Sequence, residues 1–224
     1  MGMPVSISGD GDVDGAFAWL RWVDATFSTY RPDSEIRKIE RGELARGEAH
    51  PLVRLVLGRC ERLRRETRGY FDARAGGALD PSGLVKGWAA ERAWRIAGPD
   101  ACVDAGGDVR VGGTRPCRIG IRHPHDRTAL AATLALTTGA VATSAAYERG
   151  EHILDPHTGE PPRGVLSVTV VGPDLAAADA YATAAFAMGE AGPRWTAGLR
   201  GYEAMTVLAG DRVLTTPGFD ALVV

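Results

Sequence analysis

From residue 101 to residue 171 the chain reads as one strand after another, at 101–103, 109–111, 117–122, 129–137, 139–144 and 165–171. Glycine-rich turns separate several of these runs, most plainly Gly106-Gly107 between the first two. Helical periodicity lies on either side of this block. Val13, Ala16, Phe17, Leu20, Val23 and Phe27 recur at helical spacing behind Asp12, a residue type that caps helix starts. Pro51 opens a second amphipathic run through Leu52, Val53, Leu55, Val56, Cys60 and Leu63 that ends near Gly69, and a third helix is predicted from about Leu84 to Ile96. Beyond the strands, Asp174 caps a helix reaching about Met188. Val5-Ser6-Ile7 forms a short leading strand, and Ala204–Leu208 with Arg212–Thr215 forms a closing hairpin across Gly210-Asp211. Strands adjacent to one another, with helices bunched early and late, specify α+β: a largely antiparallel mixed sheet flanked by helices, not a doubly wound parallel sheet.

At 224 residues the chain is expected to form one domain over residues 1–224. A net charge of -2 is not that of a protein gripping nucleic acid by electrostatics. No apolar run approaches the roughly 18 residues of a membrane span. Cys60, Cys102 and Cys117 lie far apart along the chain and lack CxxC spacing, so neither a disulfide framework nor a zinc site is expected, and the three read as reduced core thiols. The first residues show no positively charged segment followed by an apolar one, which points to the cytoplasm. Of the 26 basic residues, 24 are Arg, leaving only Lys38 and Lys86. A codon bias toward Arg explains that on its own, yet it also makes a compact ammonium at Lys86 conspicuous.

Four segments could carry chemistry. In Asp80-Pro81-Ser82-Gly83-Leu84-Val85-Lys86-Gly87, small residues and a Lys at a helix start suit a phosphate-bearing ligand; a glycine-rich helix start with a surface Lys fits equally. Asp104-Ala105-Gly106-Gly107-Asp108 reads as an ordinary tight turn, or one whose backbone touches a ligand. In His152-Ile153-Leu154-Asp155-Pro156-His157, an extended backbone sends His152 and Leu154 to one face and Asp155 to the other, with a histidine available as general base or merely satisfied by backbone. Asp179 and Thr183, one turn apart on a mostly apolar helix, offer hard oxygen donors of the kind Mg²⁺ takes, or a solvent-facing polar pair.

Taken in order, Met1-Gly2, Ser28-Thr29-Tyr30, Tyr70-Phe71-Asp72, DPSGLVKG (80–87), DAGGDVRV (104–111), ATSAAYERG (142–150), HILDPHTG (152–159) and ADAYATAAFAMG (178–189) resemble the ApbE family, the FAD:protein FMN transferases. The resemblance spans nearly the whole chain and implies an ApbE-like, T-fold-like arrangement. It implies Mg²⁺-dependent transfer of the FMN half of FAD, as a phosphoester, onto a Thr of a target flavoprotein domain, with release of AMP. Hydrolysis of FAD to FMN and AMP, and non-catalytic FAD binding or delivery, stay open as alternatives. By position, the resemblance implies FAD contacts at Met1, Tyr30, Tyr70, Phe71, Asp72, Asp80, Lys86 and Leu154. It implies metal ligands at the Gly83 carbonyl, Asp179 and Thr183, and makes His152 the proton acceptor, with Asp155 as a second catalytic candidate. Ala182 stands where some members carry a second Asp, and the segment between Asp72 and Asp80 is shorter than in long members.

Overall fold

The computed structural model describes residues 2–126, 128–146 and 153–224. Its centre is a seven-stranded sheet in the order β1-β2-β3-β6-β7-β8-β9. The strands are β1 (Val5–Ser8), β2 (Cys102–Ala105), β3 (Asp108–Val111), β6 (Gly139–Ala145), β7 (Val165–Gly172), β8 (Glu203–Leu208) and β9 (Arg212–Thr215). All six pairings in it are antiparallel, so the sheet is simpler than the mixed one expected. Two further strands, β4 (Cys117–Arg122) and β5 (Leu130–Leu136), form a separate antiparallel ladder. Gly106 and Gly107 both adopt positive φ, 65° and 94°, the backbone a two-residue hairpin turn between right-twisted strands requires.

One sheet face packs against helices. The helices are α1 (Val13–Phe27), α2 (Glu35–Glu40), α3 (Pro51–Glu66), α4 (Ser82–Ala97), α5 (Leu175–Ala187) and the short α6 (Gly192–Thr196). Three of the four long helices start for a local reason. Asp12 Oδ1 accepts from Gly15 N–H at 2.8 Å, Asp174 Oδ1 accepts from Ala177 N–H at 2.9 Å, and Pro51 occupies the first turn of α3. Helix α5 is apolar on nearly every side because it is enclosed: Ala178, Ala182 and Ala185 face the sheet's Ala140, Ala142, Val168 and Val170, while Ala176, Ala180 and Ala184 face the other helices. Alanine on both surfaces lets this helix lie close to the sheet. Ala182 is fully buried there, which accounts for an apolar residue at that position.

The opposite sheet face, through Val109, Val111, Val141, Met205 and Val207, packs on Ile119, Ile121, Leu134 and Leu136 of the β4–β5 ladder. Cys60 is a core thiol, and burial pushes its pKa up to about 12. Cys102 and Cys117 are only half-buried, because β2 and β4 bring them together at the margin of this second layer, so the expectation of three core thiols holds for one. No helix among the described residues is long and apolar enough to cross a membrane.

Two α-helices were not expected from the sequence. Helix α2 is a single Ser34-capped stretch with one buried residue, Ile36, too short to show a period. Helix α6 hides behind Gly192-Pro193. Helix α4 begins at Ser82 rather than Leu84, since Ser82-Gly83 looks like a turn until Asp80 Oδ1 accepts the Ser82 N–H at 2.9 Å.

Candidate functional site

A cavity of about 830 Å³ opens where the N-terminal end of α4, the middle of α5, the end of β6 and the loop after α1 meet. That volume is in the upper part of the range for small-molecule and cofactor pockets. Its floor is built by α4 and α5 packed against each other in opposite directions. An added Cβ on Gly83 would meet Thr183 Cγ2 at 3.4 Å and Oγ1 at 3.5 Å, so the two stretches that carry the expected metal ligands are in direct apposition. One turn further along, Gly87 N–H donates to Asp179 Oδ2 at 2.8 Å. A Cβ on Gly87 would sit 2.8 Å from Asp179 Cβ and 2.5 Å from the Leu175 carbonyl oxygen, so only glycine permits this approach.

Lys86 reaches across the floor. Its Nζ lies 2.7 Å from Asp108 Oδ2 and 3.5 Å from Asp179 Oδ1. The contact to Asp108 Oδ2 is a short, buried ion pair. Asp108 Oδ1 accepts from Thr143 N–H at 3.2 Å, and Ser144 Oγ lies 3.5 Å from Thr183 Oγ1. Two carboxylates share one ammonium in an almost dry place, with Asp108 and Asp179 only 1% and 3% exposed. Burial therefore raises both pKa values, against the pull of Lys86; Asp179, with Asp108 adding repulsion, is pushed up to about 7.

The structure gathers most of the expected site residues here. Gly83, Lys86, Asp179, Thr183, Asp80, Leu154, Tyr30 and Tyr70 all line the cavity. Tyr30 is 95% exposed and stands at the rim, whereas Tyr70 is held edge-on by His157, 4.6 Å between ring centres. Three others are not on the cavity wall. Phe71 is buried behind it, with Cε2 at 3.3 Å from where a Gly83 Cβ would be, so it shapes the floor from beneath. Asp72 pairs with Arg64 at 2.8 Å and accepts the Arg74 N–H at 2.8 Å. Asp155 Oδ1 accepts from His157 N–H at 2.9 Å while its carbonyl takes Gly159 N–H, which folds the Pro156–Gly159 turn; it borders a separate cleft with Arg163 and Glu190. Met1 and His152 lie outside the described residues.

Asp108 was not among the expected site residues. Its signal was present: in Asp108-Val109-Arg110-Val111, period-2 alternation puts a carboxylate and a guanidinium on one face of a fully buried strand, a face that must then meet charged partners. Thr143 and Ser144 lie in the ATSAAYERG segment that carries part of the resemblance, but no role was assigned to either.

The donor set around Gly83 suits a hard cation. Among the described residues it offers a carboxylate, a hydroxyl and a main-chain carbonyl, all hard oxygen donors. Among the described residues there is no cluster of three or more His, Cys, Asp or Glu, so any cation here depends on mixed oxygen donors rather than a carboxylate cage.

Comparison with known proteins agrees with this geometry. A 102-residue stretch is 40% identical to an FAD:protein FMN transferase of Rhodobacter capsulatus, covering 41% of this chain and 20% of that protein. A 145-residue stretch is 34% identical to an FAD:protein FMN transferase of Treponema pallidum, covering 52% of this chain and 40% of that one. The matches thus span less than half the length of these curated relatives. In fold, the chain is similar to the ApbE protein of Thermotoga maritima, with a TM-score of 0.86 at 25% identity, covering 99% of this chain and 96% of that one. It is also similar to the flavin transferase ApbE of Vibrio cholerae, with a TM-score of 0.84 at 22% identity over 99% and 96% of the two chains. The model of the ApbE family matches residues 1–78 and 73–206, which include every described wall of the cavity, and the chain belongs to that family.

Proposed function

We propose that this chain transfers the FMN half of FAD onto a Thr hydroxyl of an acceptor protein domain and releases AMP, with Mg²⁺ as the required cation. One observation carries the reading: Gly83, Asp179 and Thr183 converge beside Lys86 on the floor of a cavity large enough for a dinucleotide, with Tyr30 and Tyr70 on its walls. In the reaction the acceptor oxygen attacks the FMN-side phosphorus. The bond from that phosphorus to the bridging oxygen breaks, and AMP leaves with the bridging oxygen's electron pair. The acceptor's proton passes to a base, a role assigned to His152 by its place in the HILDPHTG motif.

This chain's residues would divide the work by position. Gly83 carbonyl, Asp179 and Thr183 would hold the cation, which when bound neutralises charge building on the diphosphate oxygens. Lys86, fixed between two carboxylates, would present an ammonium to the same oxygens. Tyr70, braced by His157, and Tyr30 at the rim would offer ring surface to the flavin or the adenine. Asp80 engages the first turn of α4 and so shapes the mouth next to Gly83. Asp155, by organising the turn after Leu154, would orient the histidine segment rather than take the proton itself. We read residues 1–224 as one functional unit and place it in the cytoplasm, a reducing compartment in keeping with three unpaired thiols.

The test is incubation with FAD, Mg²⁺ and a candidate acceptor domain, followed by in-gel flavin fluorescence. Labelled acceptor and free AMP are expected. FMN and AMP without labelling would make the chain a pyrophosphatase, and unchanged FAD would make it a binder. His152→Ala is expected to slow transfer by roughly 10²–10⁴; a wild-type rate in that variant would remove His152 from the proton transfer.

A further inference from the structure

The contact between α4 and α5 repeats once per turn. Positions 83, 87 and 91 of α4 oppose positions 183, 179 and 175 of α5. Gly83 abuts Thr183, Gly87 N–H donates to Asp179 Oδ2 at 2.8 Å, and Glu91 Oε2 accepts the Leu175 N–H at 3.0 Å. The first contact is van der Waals packing alone, and the second ties α5 through the side chain of Asp179, itself one of the expected ligands, so neither holds the backbone of α5 independently of the site. Glu91 is different. It is 5% exposed, and its Oε2 also accepts from Arg110 Nε at 2.9 Å while Oε1 accepts from Arg95. Arg110, 6% exposed, donates to the Gly139 carbonyl at 3.0 Å and to the Val111 carbonyl, and its guanidinium lies 3.7 Å above the Trp94 ring.

We propose that Glu91 is a positioning residue: by taking the first N–H of α5 while anchored to β3, it sets the axial register of α5 against α4 and so the spacing between Gly83 and the Asp179–Thr183 pair. The inference rests on the reading of those three residues as the cation site. Glu91 lies two turns of α4 from Gly83, yet it joins every element that contributes to the floor. It sits on α4 with Lys86, bonds the start of α5 ahead of Asp179, and through Arg110 reaches β3, which carries Asp108, and the Gly139 end of β6, which carries Thr143 and Ser144. A buried ion pair is a poor source of net stability, and an apolar pair of equal volume would hold the layers together as well. What an apolar pair lacks is direction. An N–H···O contact fixes one helix along the axis of another, and a shift of about 1 Å at a site of this kind is enough to cost on the order of 10² in rate.

The experiment compares Glu91→Gln, which keeps an oxygen for the Leu175 N–H, with Glu91→Met, which keeps the volume but has no acceptor oxygen. Mn²⁺ affinity of the full chain is measured by EPR titration, with and without FAD, beside Tm and the FAD KM at saturating cation. Glu91→Met is expected to weaken Mn²⁺ binding by about 10–100-fold, the range for losing a partner that orients ligands. The FAD KM should then change less than about threefold, and Glu91→Gln should retain cation affinity within about threefold even where its Tm falls as far, the split expected when a partner orients the ligands rather than binding substrate. Should Glu91→Met fail to fold, the same variant in an Arg110→Leu background removes the unpaired buried charge, and the same loss of Mn²⁺ affinity is expected. Wild-type affinity in the Met variants, or equal weakening by Gln and Met, would overturn the proposal. Thr183→Val separates the two readings: if it binds Mn²⁺ as the wild type does, the cation site itself is misassigned.

Discussion

Asp179 sits in a helix made almost wholly of apolar residues, 3% exposed, with a second carboxylate nearby and one shared ammonium. Its pKa is raised from an ordinary 3.8 to about 7, chiefly by burial. A carboxyl with a raised folded-state pKa stabilises the fold below its unfolded pKa, and that contribution is lost as pH rises through the folded value. The metal-free protein should therefore lose thermal stability between about pH 4 and pH 8 on this account. A divalent cation takes the ionised form, so the Tm gained on adding saturating Mg²⁺ should grow across the same interval. Thermal melts at half-unit steps of pH check this, and a Mg²⁺-dependent gain that is flat or shrinks with pH would contradict it. The Asp179–Thr183 spacing was readable because one helical turn must put both groups on one face. Asp108 was harder to read, because the partner that makes it a site residue, Lys86, lies on a different element and no local pattern links the two.

At the scale of elements, the seam between α4 and α5 depends on where a Cβ is absent. Gly87→Ala would force a methyl to 2.5 Å from the Leu175 carbonyl oxygen and should destabilise the fold by about 1–3 kcal/mol. Gly58, inside α3, meets nothing within 4 Å, so Gly58→Ala should stabilise by about 0.5–1 kcal/mol through helix propensity alone. Urea unfolding of the two variants checks the contrast; equal effects would mean that the seam is not tightly packed. The long helices and the strand block were legible because a capping Asp or first-turn Pro and periodicity agree at α1 and α3, glycines mark the β2–β3 turn, and a capping Asp opens the apolar run of α5. The short α2 and α6 were not, since one turn of helix carries no period and its existence is decided by packing.

Across the whole molecule, one sheet is buried on both faces, by helices on one side and by the β4–β5 ladder on the other. Because the same strands serve both cores, heat unfolding should be a single transition with equal calorimetric and van't Hoff enthalpies, and FAD with Mg²⁺ should move it upward as one. Two resolved transitions in scanning calorimetry would show that the layers are independent. The order of helices and strands gave the layering, but not the all-antiparallel pairing or which strands are neighbours, since β3 pairs with β6 across the intervening β4–β5 ladder.

The central claim concerns one point in space. Crystals soaked with FAD and Mn²⁺, with data collected at the manganese edge, test it most directly. The account predicts an anomalous peak within bonding distance of the Gly83 carbonyl oxygen, Asp179 and Thr183, touching the diphosphate, with Lys86 on its near side. A diphosphate bound elsewhere, or a peak that avoids those three residues, would contradict it.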